Sequence, residues 1–107
     1  MLSMSSPDPK KVRNLSAQLK NVGPKLAARM LEAGIESPDK LRELGAVRAY
    51  QRMYPEGDRY GDFNTAYLYA LEGAIRDCDW MEIPARVKDS HKEFVKTLQK
   101  QKSEKGR

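Results

Sequence analysis

One stretch of the chain, Leu19-Lys20-Asn21-Val22-Gly23-Pro24-Lys25-Leu26-Ala27-Ala28-Arg29-Met30-Leu31-Glu32-Ala33-Gly34-Ile35, leaves little freedom of conformation. It reads as a helix end, a tight turn and a second helix. Pro24 suits the first helical position, where a missing N–H costs nothing. Gly23 lets the backbone turn sharply just before it, and Asn21 is one of the few residues besides glycine that tolerates a left-handed conformation. Gly34 offers the stop, with Ile35 as the hydrophobic residue that follows it. Between these limits Leu26, Ala27, Met30, Leu31 and Ala33 share one side at helical spacing, and Lys25, Arg29 and Glu32 share the other.

The sign of the charge at this turn bears on function. A first helical turn usually carries acids, because the macrodipole is positive there. Here it carries Lys25, with Lys20 just upstream. A solvated lysine on an ordinary helical pair is the plain reading. An anion held by the free N–H groups of Gly23, Lys25 and Leu26 is the functional one.

The rest of the chain also reads as helices. Ser6 can cap a first helix with Pro7 behind it, and Val12, Leu15 and Leu19 recur at helical spacing. Ser37-Pro38-Asp39 opens a third helix, which Gly45 breaks; a fourth covers about 46–54 and buries Val47, Tyr50 and Met53 or Tyr54. Residues 55–62 form a loop by their Pro, Gly and Asp content, and Asp62 or Asn64 caps a fifth helix. That helix, from Ala66 to Cys78, is apolar nearly all round and is expected at the centre. Gly73, with Ala70 and Ala74, is expected to let a neighbouring helix approach closely, and Glu72 to lie at a solvated edge. Cys78 is expected in the core, and Trp80 and Ile83 are expected to close it. Pro84 starts a sixth helix with a stripe of Val87, His91, Phe94 and Leu98. Residues 1–5 are expected to be disordered, and 99–107 to fray into a basic tail. Nothing alternates with period two, so no sheet is expected.

The length of 107 residues fits one small domain. No apolar run approaches the roughly 18 residues that span a membrane, and no signal peptide is apparent at the N-terminus. A lone Cys78 excludes an internal disulfide and fits a reducing, cytoplasmic location. The net charge of +5 is unevenly placed: residues 1–31 and 83–107 each carry +5, and residues 32–82 carry −5. Basic ends are the electrostatic footprint of a polyanion partner. Enzyme motifs are missing: no HExxH, no CxxC, no Gly-rich nucleotide loop and no GxSxG. Glu56, Asp58 and Asp62 miss the spacing of a calcium loop and read as a polar loop. No catalytic residue, metal ligand or cofactor is assigned.

Asn21-Val22-Gly23-Pro24-Lys25 resembles the turn of a helix-hairpin-helix motif, a unit whose backbone grips DNA phosphates without reading sequence. The first of that motif's two glycines is replaced here by Asn21. A wider resemblance is carried by Leu15…Leu19-Lys20-Asn21-Val22-Gly23-Pro24-Lys25, Ala33-Gly34-Ile35, Leu41-Arg42-Glu43-Leu44-Gly45-Ala46-Val47-Arg48-Ala49-Tyr50, Leu68-Tyr69-Ala70-Leu71-Glu72-Gly73-Ala74-Ile75 and Trp80-Met81-Glu82-Ile83-Pro84. In that order these blocks resemble the C-terminal domain of the TfoX/Sxy family, bacterial regulators of DNA-uptake competence, in which Asn at the first turn position is usual. The resemblance spans about residues 12–86. It implies an all-α bundle of five to six short helices with a helix-hairpin-helix-like element, here over residues 6–98. Family members carry a separate N-terminal α/β domain, for which this length leaves no room, so a stand-alone copy is expected.

Two functions follow. The first is a non-enzymatic module that grips double-stranded DNA through Lys20, Asn21, Val22, Gly23, Lys25 and Arg29, in bacterial transcription or competence regulation. The second is an adaptor that docks on a transcription factor or RNA polymerase through the acidic middle of the chain, without touching DNA.

Overall fold

The computed structural model describes residues 8–58 and 62–105. It is all-α, and no strand forms among the described residues. The first helix, α1 (Pro9–Gln18), starts later than its Ser-Pro pair suggests. The Asp8 carboxylate accepts the Lys10 N–H at 2.9 Å and Pro9 takes the first helical position. Ser6, Pro7 and the expected disordered residues 1–5 lie outside the described residues. α2 (Pro24–Glu32) ends as its sequence indicates. Gly34 takes φ +84°, and the Ile35 N–H reaches back to the Met30 carbonyl at 2.8 Å, which places Ile35 fully inside the core.

Ser37 caps α3 (Pro38–Met53) by accepting the Lys40 N–H at 3.1 Å. Gly45, at φ +83° and ψ 161°, breaks α3 into two short helices, and only glycine adopts that conformation without strain. The second half buries Ala46, Ala49, Tyr50 and Met53, while Val47 is only half-buried. Tyr54 caps it and packs its ring on Tyr67, with centroids 5.1 Å apart. Asn64, rather than Asp62, caps α4 (Thr65–Arg76), its side chain accepting the Ala66 N–H at 2.9 Å. Its own N–H donates to the Tyr50 hydroxyl at 2.7 Å, so the cap is pinned to α3.

α4 is the central element, packed against α3, against α5 (Ala85–Lys105) and against a 3₁₀ turn at Trp80–Glu82. Leu68 and Leu71 are fully buried on it. The helix stops two residues short of the apolar run, because Asp77 adopts a left-handed conformation at φ +55°. Cys78 therefore falls outside the helix, half-buried, and not on a core stripe. Ile83 closes the core at 4 % exposure, whereas Trp80 stays 40 % exposed.

α5 runs on past Leu98, where periodicity alone gives a frayed tail. The Gln99 amide donates to the Phe63 carbonyl at 3.1 Å, and the Lys102 ammonium reaches the Glu56 carbonyl at 3.3 Å. Polar side chains hold this last stretch onto the backbone at Glu56 and Phe63, so an apolar stripe cannot reveal it. His91 sits at the edge of the core, 6 % exposed.

Leu71→Ala is expected to cost about 2–5 kcal/mol, the usual range for a leucine in a close-packed interior. Urea unfolding measures it, and an unchanged midpoint would contradict the central position of α4.

Candidate functional site

The turn between α1 and α2 is built from both sides. Leu19 and Val22 turn inward, 6 % and 5 % exposed, and hold the turn to the core. The Ser16 hydroxyl donates to the Val22 carbonyl at 2.7 Å, so that carbonyl is spoken for within the protein. Asn21 supplies the left-handed residue, at φ +67°. Gly23 does not: it is extended, at φ −84° and ψ −179°, and a Cβ there would meet open space. The sharp bend read into Gly23 thus belongs to Asn21. As the N-cap of α2, Gly23 brings no side chain to the first-turn N–H groups, and no acid stands in that turn. The Lys25 and Leu26 N–H groups lie at the positive end of the helix, with Gly23 and Lys25 exposed around them.

The six residues singled out from sequence separate here. Lys20 and Lys25 are exposed and carry no ion pair among the described residues. Val22 is core. Arg29 is engaged three ways: its Nε donates to the Met53 carbonyl at 2.7 Å, its Nη1 lies 3.6 Å from Glu32, and its guanidinium sits 5.2 Å from the centre of the Tyr54 ring. It closes the C-terminal end of α3 against α2. Burial, with Tyr67 alongside, pushes the Tyr54 phenol up to about 12, so Arg29 covers a neutral ring at ordinary pH. A shallow groove of about 260 Å³ runs from Lys25 past Arg29 to the Tyr54–Tyr67 pair.

Asn21 is held by both ends of its amide. Its Nδ2 donates to the Cys78 carbonyl at 2.9 Å, and its Oδ1 accepts the Trp80 N–H at 3.2 Å. The room for this comes from Gly73. A Cβ on Gly73 would stand 2.8 Å from the Cys78 carbonyl oxygen and collide with the Asn21 amide nitrogen. The close approach expected at Gly73 is therefore that of the α1–α2 turn and the chain after α4, not of a neighbouring helix. The turn it meets is itself locked: the Asp79 carboxylate accepts the Met81 N–H at 3.0 Å and the Glu82 carboxylate accepts the Asp79 N–H at 3.1 Å. The spacing Asp79-x-x-Glu82 carries that capping box in the sequence, though not the exposure of Trp80 and Met81 that results.

Glu72 is also drawn inward and does not sit at a solvated edge. Its carboxylate lies 2.9 Å from His91 Nε2 and accepts Arg76 Nε at 2.7 Å. Burial pushes this carboxyl up, but the hydrogen bonds from Arg76 and His91 outweigh it and hold the group below its ordinary value. The pair ties α4 to α5. No group of three or more His, Cys, Asp or Glu is placed to hold a metal ion among the described residues. The chemistry on offer at the start of α2 is electrostatic: free first-turn N–H groups at the positive end of the helix, with an exposed lysine in that turn, are the kind of group that can hold an anion.

The family model described as "TfoX C-terminal domain" matches residues 11–95. A crystal structure of an uncharacterized protein from Listeria monocytogenes, in a triclinic form, is similar at a TM-score of 0.71 and 28% identity; the match covers 78% of this chain and 92% of that one. A tetragonal form from the same organism, described as a protein of unknown function, gives 0.70 and 29% identity, over 77% and 96% of the two chains. No curated protein matches the chain.

Asn21→Ala removes both bonds and leaves an L-residue with a Cβ in the left-handed region, so it should cost about 1–3 kcal/mol. Gly73→Ala should act in the same direction, and the double variant should lose less than the two single losses together, because both break one contact. Urea midpoints of the three variants check this, and strict additivity would contradict it. A second expectation concerns pH. A carboxyl held below its ordinary value adds stability above that value, 4.5, and loses it as pH falls through the lowered one. The stability gap between the native chain and Glu72→Gln should therefore shrink as pH falls below 4.5 through the lowered value, read from thermal melts across that acid range.

Proposed function

This chain belongs to the TfoX C-terminal domain family, and from that premise we propose that it is a non-enzymatic DNA-binding module. It grips the duplex backbone at the α1–α2 turn, used as a helix-hairpin-helix-like element, in bacterial transcription or competence regulation. The observation that carries this reading is the bare N-terminus of α2. It has a glycine cap without a side chain, no first-turn acid, and Lys20 and Lys25 exposed without an ion pair among the described residues. Such contacts fix position on the phosphates and carry no base sequence. Lys10, Lys11 and Arg13 are exposed too, but they stand toward the far end of α1, where Lys11 lies near Leu31 and Glu36, and they are not part of this site.

The contacting set is narrower than the residues first singled out. Lys20 and Lys25 supply charge, and Gly23, Lys25 and Leu26 supply close backbone. Asn21, Val22 and Arg29 hold the turn and its helix in place. Each cation that neutralises a phosphate adds close to ~1 to the slope of log affinity against log salt. Lys25→Ala should weaken binding to any duplex by a similar factor and flatten that slope by roughly one unit. Gly23→Ala is a cleaner probe of backbone approach than a larger residue. Its backbone is extended and its surroundings open, so the fold is kept while a methyl group intrudes between backbone and phosphate. Fluorescence anisotropy with labelled duplexes at two salt concentrations measures both. Absence of binding at low salt would overturn the DNA reading and leave the adaptor reading in its place.

A further inference from the structure

We propose that the turn Trp80–Glu82, with the end of α4 beside it, is a docking surface for a lysine- or arginine-rich protein segment that carries an apolar anchor. This surface adjoins the α1–α2 turn through Asn21 but is made of other side chains than the bare end of α2, and it does not depend on the DNA reading. Trp80 and Met81 are the exposed large hydrophobic residues among the described ones, at 40% and 73%, and they are neighbours. A lone exposed apolar side chain needs no explanation, but Trp and Met side by side are the residue types that dominate binding surfaces.

The pair is also held still. The Asp79–Glu82 capping box fixes the turn, and the Asn21 amide takes the Trp80 N–H. The Trp80 ring stacks on Tyr69, with centroids 5.9 Å apart and planes 16° from parallel. A partner would find the anchor already ordered and would not bear the cost of ordering it.

Charge selects the partner. Asp77, Asp79 and Glu82 are all exposed and flank the pair in the chain. The capping box engages both the Asp79 and the Glu82 carboxylates with backbone N–H groups, and neither is neutralised by an ion pair among the described residues. Asp77 stands at the C-terminal end of α4, where the helix dipole is itself negative. Among the cations, Arg76 is paired with Glu72. Lys88 lies over the Trp80 and Tyr69 rings, 5.2 Å and 5.6 Å from their centres, and Arg86 follows at the start of α5. The three carboxylates bracket Met81 in the chain and favour a basic partner. Two side chains are far short of the roughly 1,200 Å² that a stable interface between whole proteins buries, so the occupant is a short segment and not a second copy.

Trp80 is the only tryptophan, so its emission reports on this site alone. The probes are a short lysine-rich peptide with one central Phe-Leu pair, the same peptide with Glu for Lys, and the lysine-rich peptide with Ser-Ser at its centre. The first should give a saturable blue shift, and the other two should bind at least about tenfold more weakly. Met81→Ala should weaken the first peptide by about tenfold. Asp77→Asn combined with Glu82→Gln should weaken it and flatten its salt dependence with the melting midpoint unchanged, because Asn tolerates the left-handed position and Gln can serve the capping box. Lys25→Ala should leave peptide binding intact, which separates this surface from the DNA reading. No shift with the first peptide, an equal response to the acidic peptide, or no loss in Met81→Ala would overturn the proposal. A blue shift on adding duplex DNA that Met81→Ala abolishes would assign the patch to nucleic acid and overturn it too.

Discussion

The geometry of this domain hangs on one side-chain amide. Asn21 bonds to residues 57 and 59 positions further along the chain, so the turn after α1 and the turn after α4 are one structural unit. Three conditions must hold together for that. The backbone at Asn21 must be left-handed, the side chain must both donate and accept, and Gly73 must lack a Cβ. Aspartate meets the first condition but offers only acceptors when ionised, and glycine meets the first but offers nothing to bond. Asparagine in place of a glycine at the first turn position is therefore a working part, and it explains why the α1–α2 turn departs from the generic two-glycine pattern.

Much of the helical layout was legible because the signals were local. Gly34-Ile35, Ser37-Pro38 and the break at Gly45 are all short-range devices, and each stands where the residues place it; the cap of α4 falls on Asn64, one of the two residues the sequence offered. What was not legible is long-range or polar. Asp8-Pro9 competes with Ser6-Pro7 for the same helix start, and the sequence alone does not rank them. The apolar run through Cys78 hides the left-handed stop at Asp77, because aspartate signals a cap less strongly than glycine does. Gln99 and Lys102 extend α5 by reaching carbonyls on a distant loop, which periodicity cannot register. Glu72 is held by one partner on its own helix and one on α5, and only the first has a readable spacing.

The candidate site shows the same division. Lys25 is exposed as its position on the polar face of α2 suggests, and Lys20 is exposed just before the turn. Arg29 shares that face, yet a helix face tells only which way a side chain starts out. A long guanidinium can bend back to close another helix, and here it meets the Met53 carbonyl at the end of α3, where the dipole is negative. Gly23 was legible as a special position for the wrong reason. Its value lies in having no side chain above the first-turn N–H groups, and its backbone angles are ones any residue adopts.

This division governs how any loss of function in the domain is to be read. Asn21 and Arg29 lie within the turn and helix that carry the spare charge, so substituting either displaces Lys20 and Lys25 without touching a ligand. A defect in such a variant speaks first of the scaffold. Lys25 differs in kind: it is exposed, unpaired among the described residues, and absent from the hydrogen bonds that hold the turn. Its removal subtracts one charge and leaves the frame standing. The same reasoning separates Met81 from Trp80. Trp80 stacks on Tyr69 and gives its N–H to Asn21, whereas Met81 offers an exposed side chain and holds the turn only through its backbone N–H on Asp79. In a domain this small the scaffold and the surface share nearly every turn. The informative residues are those whose side chains the fold itself does not use.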